Sequence, residues 1–151
     1  MTIEFYSHNG ADNSVSQSIK ENLINILEST EFQIYEGCAD KLRKVILAQL
    51  KEAGWSDDFK LDAHSQISLT SSNHDHALCF QTGNMSRFYA DLLKLQYVYK
   101  NKKAKAAFYI IPSKEAAKKM GSNIAHFDRF VFEIKLFNDI VTIPTLIIGI
   151  K

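Results

Sequence analysis

Two side chains capable of chemistry, Cys79 and Gln81, lie two residues apart on a predicted strand. Because a strand alternates its side chains between two faces, Cys79 and Gln81 share one face. Asp62 lies on an earlier predicted strand, and antiparallel pairing would bring its carboxylate to that face. In enzymes with this layout, carboxylates hold Mg²⁺, and a polar group positions the water that hydrolyses a phosphodiester. A thiol suits Mg²⁺ poorly, and a solvated strand face is the alternative interpretation.

Zinc binding is a second interpretation of the residues around this strand. Imidazole and thiolate suit Zn²⁺, and His74, His76 and Cys79 with Asp75 or His64 would supply them. However, His76 and Cys79 are three residues apart on a strand, so they would point to opposite faces.

A thiol nucleophile and a base-stacking surface are further interpretations. Cys79 could act as a nucleophile with His64 or His126, although a half-buried strand thiol is more often inert. Helical spacing assigns Phe88 and Tyr89 to the core, which competes with a role in stacking on bases. The other aromatic candidates for stacking are Trp55 and Tyr97.

The composition predicts one cytoplasmic domain, residues 1–151, with a helical N-terminal part (1–35) and a core (36–151). Of its 151 residues, 46% are hydrophobic and 23% are charged, which is enough to bury a core and argues against disorder. No apolar run is long enough to span a membrane, and residues 1–5 lack the pattern of a signal peptide. Cys38 and Cys79 are far apart and predict a reducing compartment.

The formal net charge is only +1, but its distribution is uneven. Residues 94–119 contain eight lysines and a single acid, Glu115. Such a segment could face nucleic acid, and a solvated loop and helix face is the alternative.

Hydrophobic periodicity predicts helices on both faces of a mixed sheet, in which a β-meander is followed by a crossover helix and further strands. Three predicted helices span 14–29, 84–99 and 114–119. A further helix is predicted to begin at Ala39 and to end within 51–54, and another to begin at Ser122 or Asn123 and to end at about 137. The predicted strands are 2–7, 59–63, 66–70, 76–82, 104–111 and 141–150, the last interrupted by Pro144 as in an edge strand or a bulge.

Two segments resemble those of BglII-type restriction endonucleases. Ala77–Asn84, followed by an amphipathic helix, is similar to the family's glutamate-x-glutamine segment. Val141–Ile150 is similar to its final core strand, with a valine-proline and an aliphatic-glycine ending. The resemblance covers roughly residues 35–150 and implies a restriction-endonuclease-like α/β/α fold.

The resemblance also implies roles for individual residues. It makes Asp62 the metal-binding aspartate and places Gln81 in the usual lysine position, with Glu36 as an additional carboxylate for Mg²⁺. The chain departs from the family at Cys79, which occupies the position of the metal-binding glutamate.

On this basis the sequence predicts a DNA-binding protein, either a Mg²⁺-dependent endonuclease or an inactive relative. An endonuclease that cuts both strands of a symmetric site is expected to be a homodimer. An inactive relative would serve as a nucleic-acid-binding module or as an immunity-type or inhibitor partner of another protein. The predicted DNA contacts are Asn84, Arg87, Lys102 and Lys103.

Overall fold

A five-stranded mixed sheet runs through the molecule, and the computed structural model describes all residues around it, Met1–Lys151. The three central strands are parallel, and the two edge strands are antiparallel to their neighbours. In spatial order the strands are β1 (Ile3–His8), β7 (Thr145–Ile150), β6 (Ala106–Pro112), β5 (His76–Phe80) and β4 (Ser71–Asn73). The predicted mixed α/β architecture is confirmed.

Helices cover both faces of this sheet, as predicted. They are α1 (Ala11–Ser14), α2 (Gln17–Ser29), α3 (Ala39–Glu52), α4 (Arg87–Lys100), α5 (Lys114–Met120) and α6 (Phe127–Leu136). The helix expected at 14–29 is interrupted, because Val15 is extended and Ser16 is the residue that precedes α2.

The two faces of β5 contribute to two separate cores. Leu78 and Phe80 pack with the apolar stripes of α2 and α3. Cys79 points the other way and packs with α4 and α6. β6 alternates in the same manner, with Phe108 on the first face and Tyr109 on the second. The sequence predicted this alternation, with Cys79 on the face opposite Leu78 and Phe80, and the structure adds that α4 covers the Cys79 face.

The predicted meander is wrong in one respect, because its first hairpin stands apart from the main sheet. β2 (Phe59–Lys60) and β3 (Ser68–Leu69) pair only with each other. The strand expected at 59–63 ends at Lys60, where the chain turns. Asp62 therefore does not lie on a strand next to β5.

The last strand is also not an edge strand. β7 begins after Pro144 and lies between β6 and β1. Because Pro144 precedes the ladder, its missing N–H removes no strand hydrogen bond, and its carbonyl still accepts from Ala107 N at 2.8 Å. None of the helices combines the length and the apolar character needed to cross a membrane.

Candidate functional site

A cleft of about 650 Å³ opens at the carboxyl end of β5. Its walls come from the first half of α3, from β3, from residues 80–83 and from the first half of α4. Ligands of open α/β sheets commonly bind at this end of the strands. The charged side chains that line the cleft are Asp40, Arg43, Asp57, Asp58, Arg87, Asp91 and Lys94.

Helix α4 supplies three of these charges from a single face. Arg87, Asp91 and Lys94 recur at i, i+4 and i+7, so they share one side of the helix. Phe88 and Leu92 are offset from them and are buried against the sheet. The amphipathic pattern that docks α4 therefore also directs this charged row towards the cleft.

The Asp91 carboxylate is the centre of a hydrogen-bond network. Asp91 Oδ2 accepts from Gln81 Nε2 at 2.7 Å and from the Tyr109 hydroxyl at 2.9 Å. Lys94 Nζ lies 3.6 Å from Asp91 Oδ1, and the Asp91 side chain is only 15% exposed. Gln81 Oε1 accepts from Gly83 N at 2.9 Å, so both ends of the Gln81 amide are bound within the chain.

Cys79 lies beneath this network and is 2% exposed. Burial raises the pKa of its thiol well above the usual value, and the neighbouring Asp91 carboxylate raises it further. Cys79 is therefore protonated at neutral pH, whereas a thiol must lose its proton to act as a nucleophile or metal ligand.

Thr70 lies in the bend between β3 and β4, beside the end of β5. Its hydroxyl accepts from Phe80 N at 3.0 Å and lines the cleft. Thr70 and Cys79 therefore bring a hydroxyl and a thiol, and no carboxylate, to the end of β5.

Arg43 enters the cleft from α3. Its guanidinium donates to the Phe80 carbonyl and lies 5.2 Å from the centre of the Phe80 ring. Arg43 is half-buried, and burial lowers its pKa while the charges of Asp91 and Asp40 oppose that shift. The group stays charged, because an arginine does not lose its proton in proteins.

Gly83 allows two of the cleft side chains to approach each other. A Cβ at this position would lie 3.1 Å from Gln81 Oε1 and 3.3 Å from Arg87 Nη1, which is closer than ordinary contact. The absence of a side chain at Gly83 therefore lets the Arg87 guanidinium fold over the loop beside Gln81.

The carboxylates predicted to bind metal lie elsewhere. Asp62 is exposed in the turn after β2, where its Oδ1 accepts from His64 N at 2.9 Å. Glu36 is exposed in the turn before α3. Neither lines the cleft, so the structure does not bring them together with Cys79 and Gln81.

The predicted DNA contacts lie at the two ends of α4. Asn84 is exposed at its start, where its Oδ1 accepts from Ser86 N at 2.9 Å, and Arg87 lines the cleft. Lys102 and Lys103 follow the other end of the helix, about 20 Å away along its axis. Lys103 donates to the Leu61 carbonyl there. Arg87 alone of these four residues belongs to the cleft.

The sequence of residues 3–150 matches the family described as restriction endonuclease BglII/BglIII. This match spans almost the whole chain. The chain belongs to the BglII/BglIII restriction endonuclease family.

Solved structures agree with this family at the level of the fold. The chain is similar to restriction endonuclease BglII in complex with a DNA 16-mer, with a TM-score of 0.91 and 10% identity over 100% of this chain and 78% of that one. It is similar to free BglII with a TM-score of 0.78 and 12% identity, over 100% and 80% of the two chains. No curated protein sequence is a detectable relative. The family and fold support a DNA-binding protein of the nuclease fold.

The cleft of this family member has no assembled site for the Mg²⁺ that restriction endonucleases generally use. Magnesium requires hard oxygen ligands in octahedral geometry, usually including one or two carboxylates. No group of three or more His, Cys, Asp or Glu side chains is arranged to hold a metal ion. The end of β5 is flanked by the Thr70 hydroxyl and the protonated Cys79 thiol, and the Asp91 carboxylate already accepts two hydrogen bonds.

The zinc and thiol alternatives are not assembled either. His76 stacks against Phe108 on one face of the sheet, whereas Cys79 belongs to the core on the other. His64 is exposed in the β2–β3 hairpin, and the His126 ring accepts from Arg129 N at the start of α6. None of these imidazoles contacts the Cys79 thiol.

The aromatic candidates divide between core and surface. Trp55 is 3% exposed and packs edge-on against Phe108, and Phe88 is fully buried. Tyr89 was expected in the core, but it is 41% exposed, because it lies at the border of α4 and donates to Glu133 of α6. Tyr97 is also exposed on α4. None of the four lines the cleft.

Sequence reasoning missed the residues that hydrogen-bond with Gln81, Asp91 or Phe80 at the site: Arg43, Thr70, Asp91 and Tyr109. Two of them left a signal in the sequence. Asp91 is an acid beside the apolar stripe of α4, and Arg43 directly follows the buried Leu42 of α3. A charge at the border of a buried stripe is a candidate for a partner in the fold. Thr70 reaches the site because the chain bends between β3 and β4, and Tyr109 because α4 packs on β6, so neither had a local signal.

Proposed function

We propose that this chain binds double-stranded DNA at the cleft and does not cleave it through a magnesium centre. The observation that carries the proposal is the buried, protonated Cys79 thiol, which stands where the family resemblance expects a metal-binding glutamate. Membership of a restriction endonuclease family and the nuclease fold support DNA as the ligand.

The absence of a catalytic centre is inferred from the positions and bonding of three side chains. Metal-assisted hydrolysis needs ligands that fix the ion and a group that orients water. Asp62 is outside the cleft, Cys79 is not ionised, and the Gln81 amide is bound at both ends. None of these three side chains therefore has a catalytic role.

Contacts with DNA are proposed for both ends of α4. Arg87 lies at the mouth of the cleft, close to Asn84, and a guanidinium there would bind phosphate in bidentate fashion. Lys102 and Lys103 would add contacts with the DNA backbone further along the duplex, which position a protein without reading sequence. A DNA-binding role and two buried free cysteines, Cys38 and Cys79, suit the cytoplasm.

Two measurements on one preparation test this function. Binding of a fluorescently labelled duplex of randomised sequence, followed by anisotropy, is expected to be saturable and to weaken steeply with salt. Incubation of supercoiled plasmid with Mg²⁺ or Mn²⁺ is expected to leave the plasmid intact. Plasmid cleavage that is lost in Asp62→Ala would contradict the proposed inactivity, and a lack of DNA binding would contradict the proposed ligand.

We also propose that the protein is a homodimer. Helices α4 and α6 lie side by side, joined by Tyr89 and Glu133, and their outer faces carry large exposed apolar side chains. Leu93 is 75% exposed, Phe132 67% and Leu136 69%. A patch of this kind on two packed helices suits a second copy of the same surface, related by a two-fold axis. Light scattering on the eluted protein would measure the mass.

A further inference from the structure

Arg43 is a half-buried cation without an acidic partner. The chain has seven ion pairs, and none of them includes Arg43 or Arg87. The Asp91 carboxylate, which lies nearby, is occupied by Gln81, Tyr109 and Lys94. A guanidinium that is partly removed from water loses hydration, and an anion from outside the chain would compensate for that loss.

Two contacts with Phe80 hold the Arg43 guanidinium in place. The guanidinium donates to the carbonyl of Phe80, which is the last residue of β5, and also stacks over the Phe80 ring. A guanidinium has five N–H donors, and the Phe80 carbonyl engages one of its terminal nitrogens. The charge is thereby held at the carboxyl end of β5, next to Cys79 and Gln81, where it lines the cleft.

We propose that the Arg43 guanidinium binds a DNA phosphate in this cleft in place of a divalent cation, so that DNA binding by this chain is independent of Mg²⁺. The inference rests on the proposed DNA-binding function. A fixed guanidinium supplies positive charge and a planar fork of donors that matches phosphate oxygens. The cleft is also lined by Asp40, Asp57, Asp58 and Asp91, but Arg43 forms an ion pair with none of them, so its remaining donors are open to a phosphate.

The test compares DNA affinity with and without metal in matched ionic strength. The wild type is expected to bind the randomised duplex with the same Kd, within about twofold, in Mg²⁺ and in EDTA. Arg43→Met keeps most of the apolar stem and removes the charge. It is expected to weaken binding about tenfold and to reduce the slope of log K against log salt by about one.

Lys44→Met is the matched control, because it removes the same charge from the next position of α3, which is exposed and outside the cleft. It is expected to bind like the wild type. Circular dichroism melts confirm folding, and Arg43→Gln, which can still donate to the Phe80 carbonyl, replaces Arg43→Met if the latter is unfolded. A folded Arg43 variant that binds as tightly as Lys44→Met overturns the inference.

Two results on the wild type separate this inference from the function on which it rests. Binding that occurs in Mg²⁺ and is lost in EDTA overturns the inference and leaves the DNA-binding function standing. Failure to bind the duplex in either buffer rejects the DNA-binding function itself, and the inference with it.

Discussion

Gln81 Nε2 donates to the Asp91 carboxylate at 2.7 Å, which ties the end of β5 to the second turn of α4. The other end of the amide accepts from Gly83 N, so both ends of the Gln81 side chain are held within the chain. The carboxylate next to Gln81 is thus that of Asp91 on α4, and β5 itself contributes none. We therefore expect that a single replacement on the strand does not restore a metal centre while Asp91 is held by Gln81 and Tyr109.

Cys79→Glu is therefore expected to destabilise the protein without creating a nuclease. The new carboxylate would be buried beside Asp91, and two like charges in a desolvated site are unfavourable. We expect a loss of about 3 kcal/mol in the free energy of unfolding, measured by urea denaturation, and no plasmid cleavage in Mg²⁺. Cys79→Val, which keeps the site apolar, should cost less than about 1.5 kcal/mol. A stable Cys79→Glu variant that cuts DNA would refute this account.

The sequence predicted the secondary structure correctly wherever the apolar residues of a segment followed a single period, that of a strand or that of a helix. The alternation along 76–80 and the apolar stripe of α4 predicted β5, the helix after it and the separation of Cys79 from the face of Leu78 and Phe80. The β2–β3 hairpin could not be read in this way. Phe59 and Leu61 alternate like residues of a longer strand, but the chain turns at Asp62, and only tertiary contacts decide which sheet a short strand joins.

The site was harder to predict because its contacts join segments that are distant in sequence. Gln81 and Cys79 were identified from their spacing on one strand. Arg43 reaches the Phe80 carbonyl across 37 positions, and Tyr109 reaches Asp91 across 18. Such pairs depend on how α3 and α4 pack on the sheet, which no local pattern of residue types encodes.

Removal of the Asp91 carboxylate is expected to destabilise the fold more than removal of another acid of the cleft. Asp91→Ala leaves the Gln81 amide and the Tyr109 hydroxyl, both buried, without their acceptor. We expect a loss of about 2 kcal/mol in the free energy of unfolding. Asp58→Ala, at an exposed acid that lines the same cleft, should change it by less than about 0.5 kcal/mol. Equal effects of the two variants in urea denaturation would argue against the network.

A charge in the exposed apolar face of α4 and α6 should separate the proposed dimer into monomers. Leu93 is 75% exposed, so Leu93→Glu costs little in the isolated chain and buries a charge only if a second copy covers it. The mass from light scattering is expected to fall by half, and the melting temperature should fall as well, because association no longer stabilises the folded chain. Lys44→Glu on the exposed side of α3 is the control and should remain dimeric. A monomeric wild type at high protein concentration would rule out this interface.

The buried imidazole of His76 links stability to pH. Its Nε2 accepts from Ser16 N at 2.9 Å, and its Nδ1 lies 2.9 Å from Asp75 Oδ1. Burial is the main cause that lowers the pKa of His76 from the ordinary 6.5; Lys105 and His74 act in the same direction, and Asp75 opposes them. Asp75 stays ionised near neutral pH, because Lys105 lowers its pKa as well.

Stability is therefore expected to fall as the pH drops below 6.5, the ordinary value for the unfolded chain. Between that value and the lowered pKa of the folded state, the unfolded chain binds more protons, so acidification favours unfolding. Protonation of His76 would also break the bond from Ser16 N, because Nε2 would then carry a hydrogen. Urea midpoints measured on either side of this window should differ less in His76→Gln, whose side-chain oxygen can still accept from Ser16 N, than in the wild type. His8 and His126, whose pKa values are lowered in the same direction, would account for the dependence that remains. A wild type with equal midpoints at both pH values would show that His76 is protonated as readily in the folded chain as in the unfolded one.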